Sequence, residues 1–329
     1  KGIELAVEEV NKSGGIKGRR VRLTSLDDQG KPEEASAATM RLIGRHKILA
    51  LLGEVASSRS IVMAAIAQKN GTPMITPSST NPKVTEQGNY VFRTGYVDPF
   101  QAEVMEAFAR ISLKMSKMAV LFDVKSDHSV DLAKAFIDFH QKNGGQVVSR
   151  QTFSSGDIDF MAQLTNIRSS QAQAIYIPGY YTEVGLIAKQ ARQLHFNGPL
   201  LGSGGWDSSS LTEVGGHSLN GSYYTCQFFS EEPSEKVKNF VALFRKTYHS
   251  DPDGNAATGY DAANVLFEAL RSSKSFDRND IRNAIAQIKD FPGVTGKITF
   301  DANRNAIKPA TIVKIVGGKQ KLESIVNPK

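Results

Sequence analysis

Cysteine and long apolar stretches are scarce in this chain, and each shortage excludes particular kinds of bond, binding site or membrane segment. Cys226 is the one cysteine among the 329 residues, which excludes an intrachain disulfide and a metal site built from several thiolates. The apolar runs stay far below the length of about 18 residues that a membrane-spanning helix needs. The longest, such as residues 48–53, have the length of a buried strand. Since Lys1 begins a helical pattern directly, no signal peptide is visible, and we expect no membrane-spanning segment.

Sequence motifs of catalysis are missing as well. The chain has no G-x-S-x-G elbow, no H-E-x-x-H pair and no Walker A loop. Its six histidines are scattered and show no metal-binding spacing, so we expect neither a metal nor another cofactor. Glu183 and Asp207 are the strongest candidates for a carboxylate pair, but we predict that each caps the helix that follows it. The sequence therefore favours a protein that is not an enzyme.

The positive net charge does not indicate nucleic-acid binding. Lys and Arg number 40 against 33 Asp and Glu, which gives +7, but the basic residues are scattered and usually stand beside acids. The tightest cluster is only residues 17–20. No helix-turn-helix segment, zinc-finger spacing or RNP motif accompanies it. A solvated basic surface is the better interpretation.

Segments with helical periodicity alternate with short apolar runs along the whole chain, whose length suits about two domains of roughly 150 residues. We predict helices over residues 1–12, 33–45, 61–70, 100–111, 130–143, 160–168, 183–194, 234–248, 256–272 and 278–289. We predict strands over residues 21–26, 48–53, 73–76, 90–93, 118–122, 147–150, 174–178, 200–202, 222–228, 296–300 and 311–316. This alternation predicts two doubly wound α/β lobes with parallel sheets.

The two ends of this pattern are irregular. A doubly wound lobe usually opens with its central strand, whereas this chain opens with a helix, so we expect a first strand and its loop to be missing from the sequence given. The late strands over 296–300 and 311–316 have no βαβ partners nearby. We therefore expect them to complete lobes already begun, with the chain crossing between lobes more than once.

The loops after the strands are the candidate site, because open α/β sheets bind ligands beyond the carboxyl ends of their strands. In the first lobe, residues 53–58 and 77–82 are rich in hydroxyls and lead into helix starts, which suits a carboxylate. In the second lobe, the corresponding loops carry aromatic rings with polar tips, which suit a small ligand with apolar and polar parts. The candidate ligand-binding residues are Ser57, Ser78, Ser79, Thr80, His128, Tyr180, Gly204 and Trp206.

These loops resemble those of the periplasmic leucine/isoleucine/valine-binding proteins, the type I solute-binding proteins of amino-acid ABC transporters. The most specific match is Pro77-Ser78-Ser79-Thr80-Asn81-Pro82 with Phe92-Arg93-Thr94. The others are residues 11–18, 27–28, 53–58, 179–183, 205–207 and 259–263. The resemblance runs in order over nearly the whole chain and lacks the family's first strand with its loop.

This resemblance implies two Rossmann-like lobes joined by three crossovers and closing on a ligand by a hinge. It puts the crossovers near Val97, Phe228 and Asn305. The first lobe then comprises residues 1–97 and 229–305, and the second comprises residues 98–228 and 306–329. It also implies a periplasmic or otherwise extracytoplasmic protein that delivers its ligand to the permease of an ABC importer.

The family pattern assigns roles to the candidate residues. In the family, the residues matching Ser57, Ser79 and Thr80 hold the ligand α-carboxylate, and those matching His128 and Tyr180 close over it. The family usually has tyrosine at the position of His128. At the position of Gly204 it normally has an acid that pairs with the ligand ammonium. Because a buried ammonium without an anion is costly, either Glu183 or Asp207 substitutes for that acid, or the ligand has no ammonium there.

We therefore expect a solute-binding protein that holds a small carboxylate-bearing ligand, foremost a branched-chain or related amino acid, in the cleft between its lobes. Two alternatives stay open. The same scaffold could bind an aromatic or aliphatic carboxylate without an amine, as Gly204 suggests, or it could serve as a ligand-sensing regulatory module.

Overall fold

A computed structural model describes residues 1–328, which form twelve α-helices and twelve β-strands. The helices are α1 (Gly2–Lys12), α2 (Pro32–Gly44), α3 (Ser57–Lys69), α4 (Lys83–Glu86), α5 (Asp98–Ala107), α6 (Asp127–Lys142), α7 (Met161–Ser169), α8 (Tyr181–Gln193), α9 (Ser209–Gly215), α10 (Glu235–Tyr248), α11 (Gly254–Ser272) and α12 (Arg278–Ala286). The strands are β1 (Leu51–Leu52), β2 (Met74–Thr76), β3 (Val91–Arg93), β4 (Lys117–Asp123), β5 (Gln146–Phe153), β6 (Ala174–Ile177), β7 (Leu200–Gly202), β8 (Tyr223–Cys226), β9 (Phe291–Gly293), β10 (Gly296–Ile298), β11 (Ala310–Val316) and β12 (Lys319–Val326). None of these helices combines the length and the apolar character needed to cross a membrane.

The chain divides into two compact units. Unit 1 comprises residues 1–97 and 230–308, and unit 2 comprises residues 98–229 and the chain from residue 309 onward. Each unit is therefore built from separate stretches of sequence, as expected for a chain that crosses more than once.

Unit 1 is built on a parallel sheet in the order β1-β2-β3. Successive side chains of a strand point to opposite faces, and this sheet buries both. Ile75 and Phe92 pack in a cluster with apolar residues of α1 and α11. Met74 and Val91, their neighbours in sequence, pack in a second cluster with residues of α2 and α3. The runs of consecutive apolar residues in these strands follow from this burial on both faces.

The predicted strand over residues 21–26 is wrong, because these residues form no strand. Val21 bonds through its backbone N–H and carbonyl to the side-chain amide of Asn11, at 2.7 and 2.9 Å. The segment then runs along a cavity of about 810 Å³ that is also lined by residues 49–54. A strand requires a hydrogen-bonded neighbour, and among the described residues this segment pairs with none.

Unit 2 holds a seven-stranded mixed sheet in the order β12-β11-β8-β7-β6-β4-β5. The strands from β8 to β5 are parallel, whereas β11 is antiparallel to both β8 and β12. The sequence did not predict β12, whose polar side chains are largely exposed at the edge of the sheet. Because β4, β6 and β7 are parallel, the loops that follow them emerge at one edge, and these loops carry the candidate residues of this unit.

Unit 1 buries two groups of opposite charge, Asp261 and Lys308, beside its β9–β10 hairpin. The Asp261 carboxylate accepts hydrogen bonds from the backbone N–H groups of Val294 and Thr295, both at 2.8 Å, and Lys308 bonds to the Thr295 hydroxyl. Burial raises the pKa of Asp261, and burial lowers the pKa of Lys308 to about 8 although Asp261 opposes that shift. The folded chain thus loses the Lys308 proton at a pH where an exposed lysine keeps it.

This difference makes the effect of Lys308→Met depend on pH. Between about pH 8 and pH 10 the unfolded chain holds the lysine proton and the folded chain does not, so the wild type gains stability as the pH rises. From about pH 7.5 to pH 9.5 we expect the free energy of unfolding to shift by about 2 kcal/mol in favour of the wild type over the variant. Urea unfolding of both chains at the two pH values measures this shift, and other titrating groups cancel in the difference. A difference independent of pH would contradict the expectation.

Candidate functional site

In unit 1, serine hydroxyls join the two loops that follow β1 and β2. Ser79 Oγ lies 2.7 Å from Ser60 Oγ and 2.8 Å from the carbonyl oxygen of Glu54. Ser57 Oγ accepts a hydrogen bond from the Asn81 N–H at 3.2 Å. The sequence predicted a ligand-binding role for each of the loops of residues 53–58 and 77–82. The hydrogen bonds between them show that they form one polar surface.

These contacts give the predicted ligand residues of unit 1 different surroundings. The hydroxyls of Ser57 and Ser79 hold the loops together, so each already has a partner within the unit. Ser78 is half-buried, with its Oγ 2.6 Å from Thr258 Oγ1, and Thr80 is 4% exposed. A role of these four residues in holding a carboxylate stays a prediction.

Arg93, the last residue of β3, is completely buried beneath the second loop. Its guanidinium donates to the carbonyl of Asn81 at 2.6 Å, to the carbonyl of Ser79, and to Asn305 Oδ1 at 2.9 Å. These bonds turn two loop carbonyls toward the guanidinium and put a positive charge under the loop. Sequence reasoning quoted Arg93 only as part of a motif and missed this role. The available signal was an arginine that ends a buried apolar strand.

The loop after β1 carries an ion pair of its own. Arg59 Nη2 lies 2.9 Å from Oε1 of Glu54, and Arg59 Nε lies 3.7 Å from Oδ2 of Asp28. Burial raises the pKa of Glu54, and Arg59 opposes that shift through its hydrogen bond and its charge. The carboxylate at this loop is therefore compensated within the unit.

In unit 2, the loops after β4, β6 and β7 bring three of the predicted residues together. The ring centroids of His128 and Tyr180 are 5.6 Å apart. His128 Nε2 lies 3.1 Å from Ser203 Oγ, next to Gly204. The adjoining Gly205 has no room for a side chain, because a Cβ there would collide with the carbonyl of Gly179. The predicted cluster thus forms through close approach of these loops.

The polar-tipped ring of Trp206 suggested a position beside the ligand, whereas the structure places this side chain in the core. Its side chain is fully buried in the core of unit 2, and the indole N–H donates to the carbonyl of Ile177 at 2.9 Å. The ring covers Gly202 so closely that a Cβ at Gly202 would collide with it. The structure therefore gives Trp206 a packing role.

The predicted helix caps at Glu183 and Asp207 are wrong. Glu183 lies inside the first turn of α8, and its Oε1 accepts from the backbone N–H of Gly156 at 3.0 Å. Asp207 follows a short helical turn over Gly204–Trp206, and Ser208 caps α9 through its side chain. Within residues 1–328, no three His, Cys, Asp or Glu side chains are grouped as a metal ion would require.

The chain matches known proteins over almost its whole length. A family model described as "Periplasmic binding protein" matches residues 1–320. The Leu/Ile/Val-binding protein homolog 3 of Brucella melitensis biotype 1 is 34% identical over 313 residues, which cover 94% of this chain and 84% of that protein.

Solved structures agree with this likeness. The leucine-binding protein LivK from Thermotoga maritima is 38% identical with a TM-score of 0.95, and the match covers 99% of this chain and 93% of that one. The branched-chain amino acid transporter substrate-binding protein LivJ from Streptococcus pneumoniae, solved with isoleucine, is 31% identical with a TM-score of 0.94 and the same coverage. These matches confirm the predicted two-lobe α/β fold.

Proposed function

The chain belongs to the periplasmic binding protein family, and from this premise we propose that it binds a branched-chain or related amino acid for an ABC importer. Its relatives are solute-binding proteins, and the family implies a place outside the cytoplasm. We further propose that the loaded protein delivers its ligand to the permease and that it catalyses no reaction.

The observation that carries this proposal is the polar surface of unit 1 with Arg93 behind it. Carboxylates bind where hydroxyls, helix starts and a nearby positive charge coincide. The loops of residues 53–58 and 77–82 supply the hydroxyls, and α3 begins at Ser57. The buried guanidinium of Arg93 adds the charge. We infer that Ser57, Ser78, Ser79 and Thr80 form the surface that receives the ligand carboxylate.

Unit 2 contributes contacts of another kind. Its neighbouring rings of His128 and Tyr180 offer an apolar surface with polar edges, which suits the rest of an amino acid. The relatives named above support this ligand class, since one is a leucine-binding protein and another was solved with isoleucine.

We expect Thr80→Ala and Tyr180→Ala each to weaken ligand binding about tenfold or more while leaving the chain folded. Each change removes a side chain of the proposed ligand surface, and such truncations typically cost more than about 1 kcal/mol at an important contact. Titration calorimetry with leucine, isoleucine and valine measures the loss. Tyr181→Ala is the matched control, because Tyr181 is the exposed neighbour of Tyr180. Full affinity in both site variants would contradict the site assignment.

A thermal-unfolding panel tests the function itself. Leucine, isoleucine, valine, alanine, phenylalanine, 4-hydroxybenzoate and 2-oxo acids should be compared with the wild-type chain. A ligand present at about 100 times its Kd stabilises the folded chain by about 2.7 kcal/mol, which is a shift of a few degrees. A shift with the branched-chain amino acids is the expected result. A shift only with the acids that lack an amine would establish the alternative that Gly204 suggests.

A further inference from the structure

Asp98 is a buried carboxylate in unit 2 with an unusual set of partners. It is the first residue of α5 and is only 1% exposed. Its Oδ1 accepts from Gln101 Nε2 at 2.7 Å and lies 3.0 Å from His128 Nδ1. Its Oδ2 is buried without a hydrogen-bond partner among the described residues. An anion so far from water is costly unless a positive charge compensates it.

Gln101 connects this carboxylate to the loop after β7. Its Oε1 accepts from the backbone N–H of Gly204 at 3.2 Å and from Thr225 Oγ1 at 3.0 Å. With the oxygen committed to two donors, the amide nitrogen must face Asp98. The Gly204 N–H is thereby used inside the unit, so it is not offered to an anionic ligand.

His128 carries the effect of Asp98 toward the candidate residues. A carboxylate only accepts hydrogen bonds, so Nδ1 of His128 carries the proton that it donates to Asp98. Nε2 is then left to accept a hydrogen bond, and it lies 3.1 Å from Ser203 Oγ. The Asp98 carboxylate and the His128 imidazole thus form one hydrogen-bonded pair that reaches from α5 to the strand-end loops.

The charges of the two units support a ligand with two opposite charges. In unit 2, the stretches 123–128, 154–159, 178–183 and 203–208 contain six acids and one lysine: Asp123, Asp127, Asp157, Asp159, Glu183, Asp207 and Lys125. In unit 1, Arg59 is balanced by Glu54 and Asp28, and Lys83 and Arg93 are further positive charges near the ends of β2 and β3. Unit 1 thus favours an anion, and the loops of unit 2 favour a cation.

We propose that Asp98, acting through His128, supplies the negative charge that pairs with the ammonium group of the ligand. This inference rests on the proposed amino-acid function and makes it narrower. Asp98 is then a positioning residue that lets the chain select an amino acid over the same acid without its amine. Leucine and 4-methylpentanoate form the matched ligand pair, since they differ only in that amine.

Titration calorimetry of the wild-type chain with leucine and 4-methylpentanoate gives the first measurement. We expect leucine to bind at least tenfold more tightly. In Asp98→Asn, which keeps the shape and loses the charge, we expect leucine affinity to fall about 30-fold or more and 4-methylpentanoate affinity to stay within about threefold. The matched control is Glu106→Gln, because Glu106 is also a buried carboxylate of α5 beside a histidine, but its partners Arg110 and His140 lie outside these loops. It should leave the ratio of the two affinities unchanged.

Each possible result either supports or contradicts the proposed role of Asp98. Equal loss of both ligands in Asp98→Asn would show a merely structural role and overturn it, as would an unchanged leucine affinity. If the wild type binds 4-methylpentanoate as tightly as leucine, the inference about Asp98 is wrong, while the proposed solute-binding function is unaffected. This comparison uses only the wild type, so it remains decisive even if Asp98→Asn does not fold. Binding of no amino acid by the wild type would overturn the proposed function and the inference together.

Discussion

Replacing Arg93 with lysine is expected to abolish measurable ligand binding and to lower the free energy of unfolding by about 3 kcal/mol. The arginine is fully buried, and its planar guanidinium bonds at once to two loop carbonyls and to Asn305. A lysine ammonium is a single point on a flexible stem and cannot reach all three acceptors. The carbonyls of Ser79 and Asn81 would lose their donors, and the loop proposed to receive the carboxylate would lose its support.

Urea unfolding and titration calorimetry with leucine measure the two effects of Arg93→Lys. Arg41→Lys is the control, because Arg41 is exposed on α2 and should change stability by less than about 0.5 kcal/mol. A change in only one of the two measurements is informative as well. If Arg93→Lys unfolds at the wild-type urea concentration but binds no leucine, Arg93 acts on the ligand and not on the loop. Unchanged stability together with unchanged affinity would contradict the assignment.

The parts of the fold that the sequence predicted well are those fixed by local pattern. Apolar residues at helical spacing predicted α1, α6 and α8 to within a few residues of their observed bounds. Short apolar runs predicted β2, β6 and β7 equally well, because these strands are buried completely and so need apolar side chains throughout.

The parts that the sequence predicted poorly depend on neighbours that no local pattern reveals. Residues 21–26 have the composition of a strand, but they border a cavity and have no ladder partner. Conversely, β12 is polar and largely exposed, and it is a strand because β11 pairs with it along its whole length. Pairing in a sheet is a tertiary property, so composition predicted one strand too many and missed two, β9 and β12.

The candidate site shows the same limit. The proximity of His128 and Tyr180 could be predicted because both follow parallel strands of one sheet, and their contact with a ligand stays a prediction. Asp98, Gln101 and Arg93 could not be predicted as functional, since their roles come from contacts with residues far away in sequence. The burial of Trp206 could not be predicted either, because its strand-end loop does not reveal that the ring turns inward to fill the core.

Asp261→Ala should cost about 4 kcal/mol of stability, the largest effect we expect from a residue outside the candidate site. The change leaves the backbone N–H groups of Val294 and Thr295 without their acceptor and removes the negative charge that favours the buried ammonium of Lys308. Urea unfolding measures the loss. Asp277→Ala provides the comparison, because Asp277 caps α12 at the surface and its removal should cost only about 1 kcal/mol.

A double-mutant cycle with Lys308→Met separates the two parts of that cost. An uncompensated buried ammonium is worse than no charge at all, so removing Lys308 as well should recover about 1 to 3 kcal/mol of the loss in Asp261→Ala. The remainder measures the two backbone hydrogen bonds, which Asp261→Asn should retain in part because one oxygen remains. Additive losses in the double variant would show that Asp261 supports the β9–β10 hairpin through the backbone bonds alone. The low pKa of Lys308 would then arise from burial alone, without the opposing effect of the Asp261 charge.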